Sequence, residues 1–220
     1  MSAVLAWVLG MAGLLAYNWW LLVPLKPGLM RSPDELFSNL EVAGQPFATA
    51  MQHADLLAGL LLGAAFLAAG SASIPGARRE WLAMMIFAAA GAAGGLFPEV
   101  CADEISPLCR SREWHFQLPL SQYVHMAAGV AEFGAVTAAL LFAVLRARGQ
   151  PSATARAYRA LAAGAAAAYP LLGLAYLLDR LGGVMEIVFF TGFTLMVLTE
   201  LRERTATARE RRPAVPGRGG

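Results

Sequence analysis

GGLFPEVCADEISPLCRSREWHFQLPLSQYVHMAAGVAE, running from Gly94 to Glu132, sets a polar loop between two long apolar segments. The loop carries both cysteines and two of the chain's three histidines, and the carboxylates Glu99 and Glu132 stand at its edges. Flanked in this way, it reads as the outer connection between two transmembrane helices, lying as a lid over a polar site.

The rest of the chain supports a membrane setting. Of 220 residues, 58% are hydrophobic, and the mean hydropathy is +0.54. A soluble domain is usually about 45–50% apolar. The excess lies in six runs, at about 3–24, 47–69, 81–98, 121–145, 157–178 and 183–201. Each is long enough to cross roughly 30 Å of hydrocarbon. The expected fold is all-α: a polytopic membrane protein with six transmembrane helices in one bundle over residues 1–201, and a basic, disordered tail over 202–220. The first run lacks a basic leader and ends in Tyr17-Asn18-Trp19-Trp20, an aromatic interface belt, so it reads as a retained helix ending at Pro24.

Charge placement gives the expected orientation. Arg78 and Arg79 lie in the second loop, and Arg146, Arg148, Arg156 and Arg159 in the fourth. Arg202, Arg204, Arg209, Arg211, Arg212 and Arg218 lie in the tail. Together these are twelve of the 17 basic residues, all on one side of a six-helix arrangement. Cytoplasmic loops carry the Lys/Arg excess, so both termini are expected inside the cell membrane. The basic tail reads as topology and solubility, with no nucleic-acid partner. Cys101 and Cys109 then face outside, where disulfides persist, and a pairing between them would hold the loop. Two free thiols is the alternative.

Three local signals add detail. Ser32-Pro33-Asp34-Glu35 resembles a helix start, so a short interfacial helix is expected there. Gly59 with Gly63, and Gly91 with Gly95, have the GxxxG spacing of close helix contacts. Pro170 stands inside the fifth run and frees the carbonyl of Ala166.

Ionisable side chains inside transmembrane helices usually mark function or a structural pair. Here they are Asp55, Glu132 and Glu186, with His53 and His125 near the rim and Glu99 closing the third helix. Gln122, His125, Gly129 and Glu132 fall on one helix face. All these groups are expected in the outer half, and the inner half is expected to hold nothing comparable. An acid–base reading makes Glu132 the proton donor, with His125 and Asp55 assisting and Glu186 and Glu99 shaping the site. A metal reading draws ligands from His53, His125, Asp55 and Glu99. No HxxxH or HExxH spacing occurs, and no cofactor is identifiable. The plainer alternatives remain open: His53 as a rim histidine, Asp179 with Arg180 as an exposed pair, Asp103, Glu104, Glu113 and His115 as solvated loop charges, and Asp55 with His125 as a packing hydrogen bond.

At these residues the chain resembles an uncharacterised family of bacterial and archaeal membrane proteins, domain of unknown function 998. The shared layout is SNLEVAGQP (38–46) leading into a helix with Asp55, then GLFP (95–98) followed by Glu99. His125 and small residues open the next long helix, and GGVME (182–186) opens the last. The resemblance covers about residues 30–200, and it implies the fold and the site location without a reaction. The stretch Met185-Glu186-Ile187-Val188-Phe189-Phe190 is similar to the acid-then-aromatic helix start of lycopene-type isoprenoid cyclases, although their proline and paired acids are absent. Alkaline ceramidase-like hydrolases share a His and Asp set in a helical bundle, and their closely spaced final histidines are absent here.

The functional expectation is a membrane-embedded enzyme acting on a lipid or isoprenoid through an outward-facing acid–base pocket. A metal-dependent lipid hydrolase is the alternative within enzymes. A non-catalytic accessory or lipid-binding subunit is the alternative outside them. The expected partner is a membrane lipid or isoprenoid, and the oligomeric state is not readable from the sequence.

Overall fold

In the computed structural model the described residues are 3–30, 32, 34–70, 74–102, 106–178 and 181–210, with backbone alone at 175–177 and 208–210. The long helices are α1 (Ala3–Tyr17), α2 (Ala48–Ala69), α3 (Arg78–Leu96), α5 (Leu120–Arg146), α6 (Ala153–Leu177) and α7 (Gly182–Glu210), with a short α4 (Pro107–Trp114) between α3 and α5. Two 3-10 segments, Trp19–Leu25 and Phe37–Glu41, fill the connection from α1 to α2. Among the described residues there is no strand. Three helices are long and apolar enough to cross a membrane, namely α2, α5 and α7 as far as Thr207. The pair of α1 with Trp19–Leu25, bent by 43°, makes up to a fourth.

The long helices form a ring in chain order. Each packs on the next, α1 on α2, α2 on α3, α3 on α5, α5 on α6 and α6 on α7, and α7 returns to α1. One apolar core runs through the middle, from Ala6 and Leu62 through Phe66, Met84 and Ala139 to Val197 and Leu201.

The tightest seam is between α2 and α3, and it depends on glycine. A Cβ at Gly59 would overlap the backbone of Ala88 and Ala92, and one at Gly95 would overlap the backbone of Gln52 and Leu56. Without a side chain at either position, the two backbones touch, which is how helices associate where lipid removes the hydrophobic drive. Gly63 is different, because a Cβ there would sit 3.5 Å from the Ala88 Cβ, an ordinary contact.

Several boundaries differ from expectation. α1 stops at Tyr17, well before Pro24, because the Asn18 amide donates to the Leu14 carbonyl at 2.8 Å and to Thr194 Oγ1 at 3.0 Å. That side chain occupies the carbonyl of the last turn and ties the bend to α7. In place of a helix starting at Ser32, Asp34 and Glu35 lie in a turn and the 3-10 segment Phe37–Glu41 follows. α4 was not anticipated; Ser106 caps it by accepting from the Cys109 amide at 3.3 Å, and Pro107 occupies its first turn. α7 continues through Glu210, so residues 202–210 are helical and not part of a disordered tail. Asp103, Glu104, Asp179, Arg180 and the tail from Arg211 onward lie outside the described residues.

The expectation that the inner half lacks polar groups is overturned. At the end of the bundle remote from the Gly94–Glu132 loop, Arg146 of α5 bridges Glu80 of α3 at 2.7 Å and Glu203 of α7 at 2.7 Å. Tyr158 of α6 donates to Glu200 at 3.1 Å and Glu203 at 2.7 Å, and Arg204 pairs with Glu200 at 2.7 Å, both fully buried. These charges sit near helix ends, where the sequence pattern is that of solvated loop residues. Folding the ends together buries them as one network, and burial of a charge requires such a partner.

The glycine seam gives a clear test. Gly59→Ala should destabilise the protein by about 1–3 kcal/mol, because two backbones must separate, whereas Gly63→Ala should change stability by less than about 0.5 kcal/mol. Thermal melting of both variants in neutral detergent reads the contrast. Equal melting temperatures would show that the seam is not a close backbone contact.

Candidate functional site

The ring encloses a cavity of about 670 Å³ at the end that carries the Gly94–Glu132 loop. Its floor is apolar, made by Ala58, Leu62, Phe87 and Ala88. Asp55, Glu99, His125, Glu132 and Glu186 all line it, brought together from α2, the end of α3, α5 and the start of α7. His53 does not. It lies two positions from Asp55 on α2 and is exposed, because neighbours two apart on a helix point to different sides. Among the described residues, no three His, Cys, Asp or Glu side chains are arranged to hold a metal ion.

The bend after Tyr17 carries the next segment over the cavity. Trp19 Nε1 donates to Asp55 Oδ1 at 2.8 Å. From the other side, Phe37–Glu41 delivers Glu41, whose carboxyl stands near that of Asp55 and interacts with it. Glu41 is 3% exposed, and its Oε2 has no partner. Burial first, and the Asp55 charge next, hold the Glu41 carboxyl well above the usual carboxylate range. Glu186 accepts from the Phe37 amide, so α7 anchors the same segment.

The loop is pinned by Gln122, which is fully buried and does not itself line the cavity. Its Oε1 accepts from the Val100 amide at 2.9 Å, and its Nε2 donates towards Glu99 Oε1 at 3.3 Å, the Cys101 carbonyl at 3.2 Å and Glu113 Oε2 at 3.2 Å. Cys101 and Cys109 lie at disulfide distance, with Cα atoms 5.8 Å apart. The bridge ties the strand of chain holding Glu99 to α4, which holds Glu113, and both carboxyls line the cavity. His125 Nδ1 lies 3.1 Å from each of the Gly94 and Phe97 carbonyls, so it donates to the last turn of α3.

Glu132 makes no hydrogen bond among the described residues, and it faces Asp55 across the cavity as a like charge. Gly91 makes room for it; a Cβ there would stand 2.6 Å from Glu132 Oε1. Tyr17 also lines the cavity, and its buried hydroxyl has no partner.

A family model for proteins of unknown function, DUF998, matches residues 10–199. The chain belongs to this family. The match spans every cavity residue from Tyr17 to Glu186, so the site is part of the DUF998 domain. Comparison with curated proteins and with solved structures gives no match.

Sequence reasoning missed Glu41, Tyr17, Trp19 and Asp34 in this DUF998 site, and it left Glu113 as a solvated charge. Glu41 carried one usable signal, a lone acid between Leu40 and Val42 in a stretch otherwise free of charge from Leu36 to Ala54 but for His53. Tyr17 and Trp19 read as an interface belt, because nothing local shows that the chain bends there.

Glu41 predicts a pH dependence. Its folded pKa is raised above the unfolded value of roughly 4.3. The stability it contributes is therefore fully present below that value and is lost as pH rises through the folded pKa. Glu41→Gln keeps a donor to Asp55 and cannot ionise. Between pH 5 and pH 8 the wild-type melting temperature should fall more than that of Glu41→Gln. Parallel curves would show that Glu41 does not carry the proton.

Proposed function

We propose that this DUF998 protein is a six-span membrane enzyme that performs acid–base chemistry on a lipid or isoprenoid at the extracytoplasmic face of the cell membrane. The observation that carries the chemistry is that the interacting carboxyls of Glu41 and Asp55 both stand in the cavity wall. Two carboxyls in contact, away from water, share one proton, since both cannot ionise together. Glu41 is the acid of the pair. Asp55, steadied by the Trp19 indole, is the base. His125 donates from Nδ1, which leaves Nε2 to pass protons between cavity and loop.

Access supports a lipid-like substrate. Val130 and Met126 of α5 line the cavity and are 74% and 39% exposed, and Gly173 of α6 lines it and is exposed. The cavity therefore reaches the flank of the bundle between α5 and α6, where acyl or prenyl chains would surround it. Leu108, Trp114 and Phe116 are exposed around α4, as side chains at a membrane interface are.

Six spans follow from reading α3 and α6 as crossing with the other four members of the ring. The basic residues Arg78, Arg79, Arg148, Arg156 and Arg159 gather at the end opposite the cavity, which supports both termini inside and the cavity outside. Maleimide labelling tests it. Gln117→Cys should label in intact cells, and Ser152→Cys only after permeabilisation, with the native cysteines silent in their bridge. Labelling of Ser152→Cys in intact cells would reverse the orientation.

The chemistry is tested by lipid analysis of a strain lacking the gene, re-expressing Glu41→Gln or Asp55→Asn. Loss of a general acid or base lowers a rate by roughly 10²–10⁴-fold. The species that accumulates on deletion should therefore persist in both variants, while wild type clears it and the variants melt within a few degrees of wild type. Clearance by both variants at the wild-type rate would leave the pair a structural hydrogen bond.

A further inference from the structure

Of the tyrosines whose side chains are described, three place the hydroxyl on an acceptor. Tyr123 donates to the Glu113 carbonyl at 3.3 Å, Tyr158 to Glu203 at 2.7 Å, and Tyr169 to the Phe133 carbonyl at 3.2 Å. Tyr17 differs. It is 7% exposed, and its hydroxyl has no partner. The ring stands edge to face with Phe87 at 5.7 Å and with Phe190 at 5.4 Å, contacts that a phenylalanine would make equally well. Packing therefore gives no reason for the hydroxyl, and a buried O–H without an acceptor is costly.

Tyr17 is the last residue of α1, and it lines the cavity. Glu132 exerts a stronger field on its hydroxyl than Asp55 or Glu186 does. Glu132 also lines the cavity and makes no hydrogen bond among the described residues. Gly91 leaves it room, since a Cβ there would stand 2.6 Å from Glu132 Oε1. A donor without an acceptor and a carboxyl without a hydrogen bond thus look into one cavity. The wall around them is apolar, with Leu62, Phe87, Phe133 and Phe190 among its members.

We propose that Tyr17 and Glu132 together bind the hydroxyl group of a lipid alcohol, a single O–H on an apolar chain that leaves between α5 and α6. This deepens the reading of the cavity as a substrate site and rests on it. A hydroxyl is both acceptor and donor. Its oxygen accepts from Tyr17, and its O–H donates to Glu132. If Glu132 carries a proton, its carbonyl oxygen still accepts, so the fit does not depend on where that proton sits. Other heads meet only part of the pair. A hydrocarbon meets neither group. An ether or ester oxygen accepts from Tyr17 and gives nothing to an ionised Glu132. An ammonium donates to Glu132, has no lone pair, and leaves the Tyr17 proton unmet. The exposed flank at Val130 and Gly173 lets the chain out.

The experiment uses the full chain in tagged nanodiscs of zwitterionic lipid, with tagged empty nanodiscs as the blank. Radiolabelled dodecanol, its methyl ether and dodecane are each shared with untagged empty nanodiscs, and the excess on the tagged ones is counted after pull-down. Wild type should favour the alcohol over the ether by about two- to tenfold, and the ether over the alkane by a similar factor. Tyr17→Phe, which keeps the ring, should bring the ether down to the alkane. Glu132→Leu should bring the alcohol down to the ether. Farnesol, its methyl ether and the parent hydrocarbon repeat the series on an isoprenoid chain. The expected order on either chain supports the inference, and the larger excess names the chain type. If Glu132→Leu does not fold, the wild-type order and Tyr17→Phe decide. Equal enrichment within both series overturns the inference, as does an ether preference that survives in Tyr17→Phe or an alcohol preference that survives in a folded Glu132→Leu. The acid–base reading fails separately: it is lost if Glu41→Gln and Asp55→Asn both clear the accumulated lipid at the wild-type rate, whatever the alcohols do.

Discussion

The contact of α2 with α3 through Gly59 and Gly95 is the constraint on which the site depends. In lipid, helices gain little by hiding apolar surface from one another, so close backbone approach and dispersion must hold them. The glycines that permit this also set the chemistry. Asp55 lies one helical turn before Gly59, and Gly91 lies one turn before Gly95. The seam therefore fixes the height of Asp55 on one helix and of the gap opposite Glu132 on the other. A bulkier seam would move both.

The two ends of the ring solve the problem of buried charge in different ways. At the end remote from the cavity, each carboxylate of the network meets a guanidinium or a tyrosine hydroxyl, and α3, α5, α6 and α7 are tied by these polar contacts. At the cavity end, Asp55 meets the Trp19 indole, Glu113 the Gln122 amide and Glu186 the Phe37 N–H. In the first arrangement Arg146 and Arg204 each meet carboxylates of opposite charge, although Arg204 Nη2 is buried without a partner. The second retains unmet capacity at Glu132, Tyr17 and Glu41. Tying the remote end firmly lets the cavity end hold carboxyls near one another without the helices parting.

Hydrophobic run length carried most of the fold, because lipid leaves a chain few ways to satisfy its backbone. Asp55, Glu132 and Glu186 were legible for the same reason: a charge within an apolar run stands out. Glu41 was not, because its position depends on how the chain returns from the bend at Asn18, and that bend is set by a hydrogen bond to Thr194 far away in sequence. Helix spacing placed Gln122 correctly on the face of His125 and Glu132. Its part, holding the Glu99 and Glu113 loop, needs the loop's path. His53 shows the opposite error, in which residue type suggested a ligand that helix geometry turns outward. The ion network remote from the cavity was hidden by the positive-inside pattern, which counts arginines without asking what they touch.

The apolar floor has a kinetic meaning. Ala58, Leu62 and Phe87 close the cavity from below and continue into the core with Phe66, Met84 and Val197. Beneath that core lies the ion network. On the proposed placement in the membrane, such a chamber is a cul-de-sac, with an apolar floor between it and the far side. Departure would then share its doorway with arrival, and an occupant that lingered would block its successor. On the proposed reading, traffic would be exchange with one leaflet, and residence time at the doorway would set its pace.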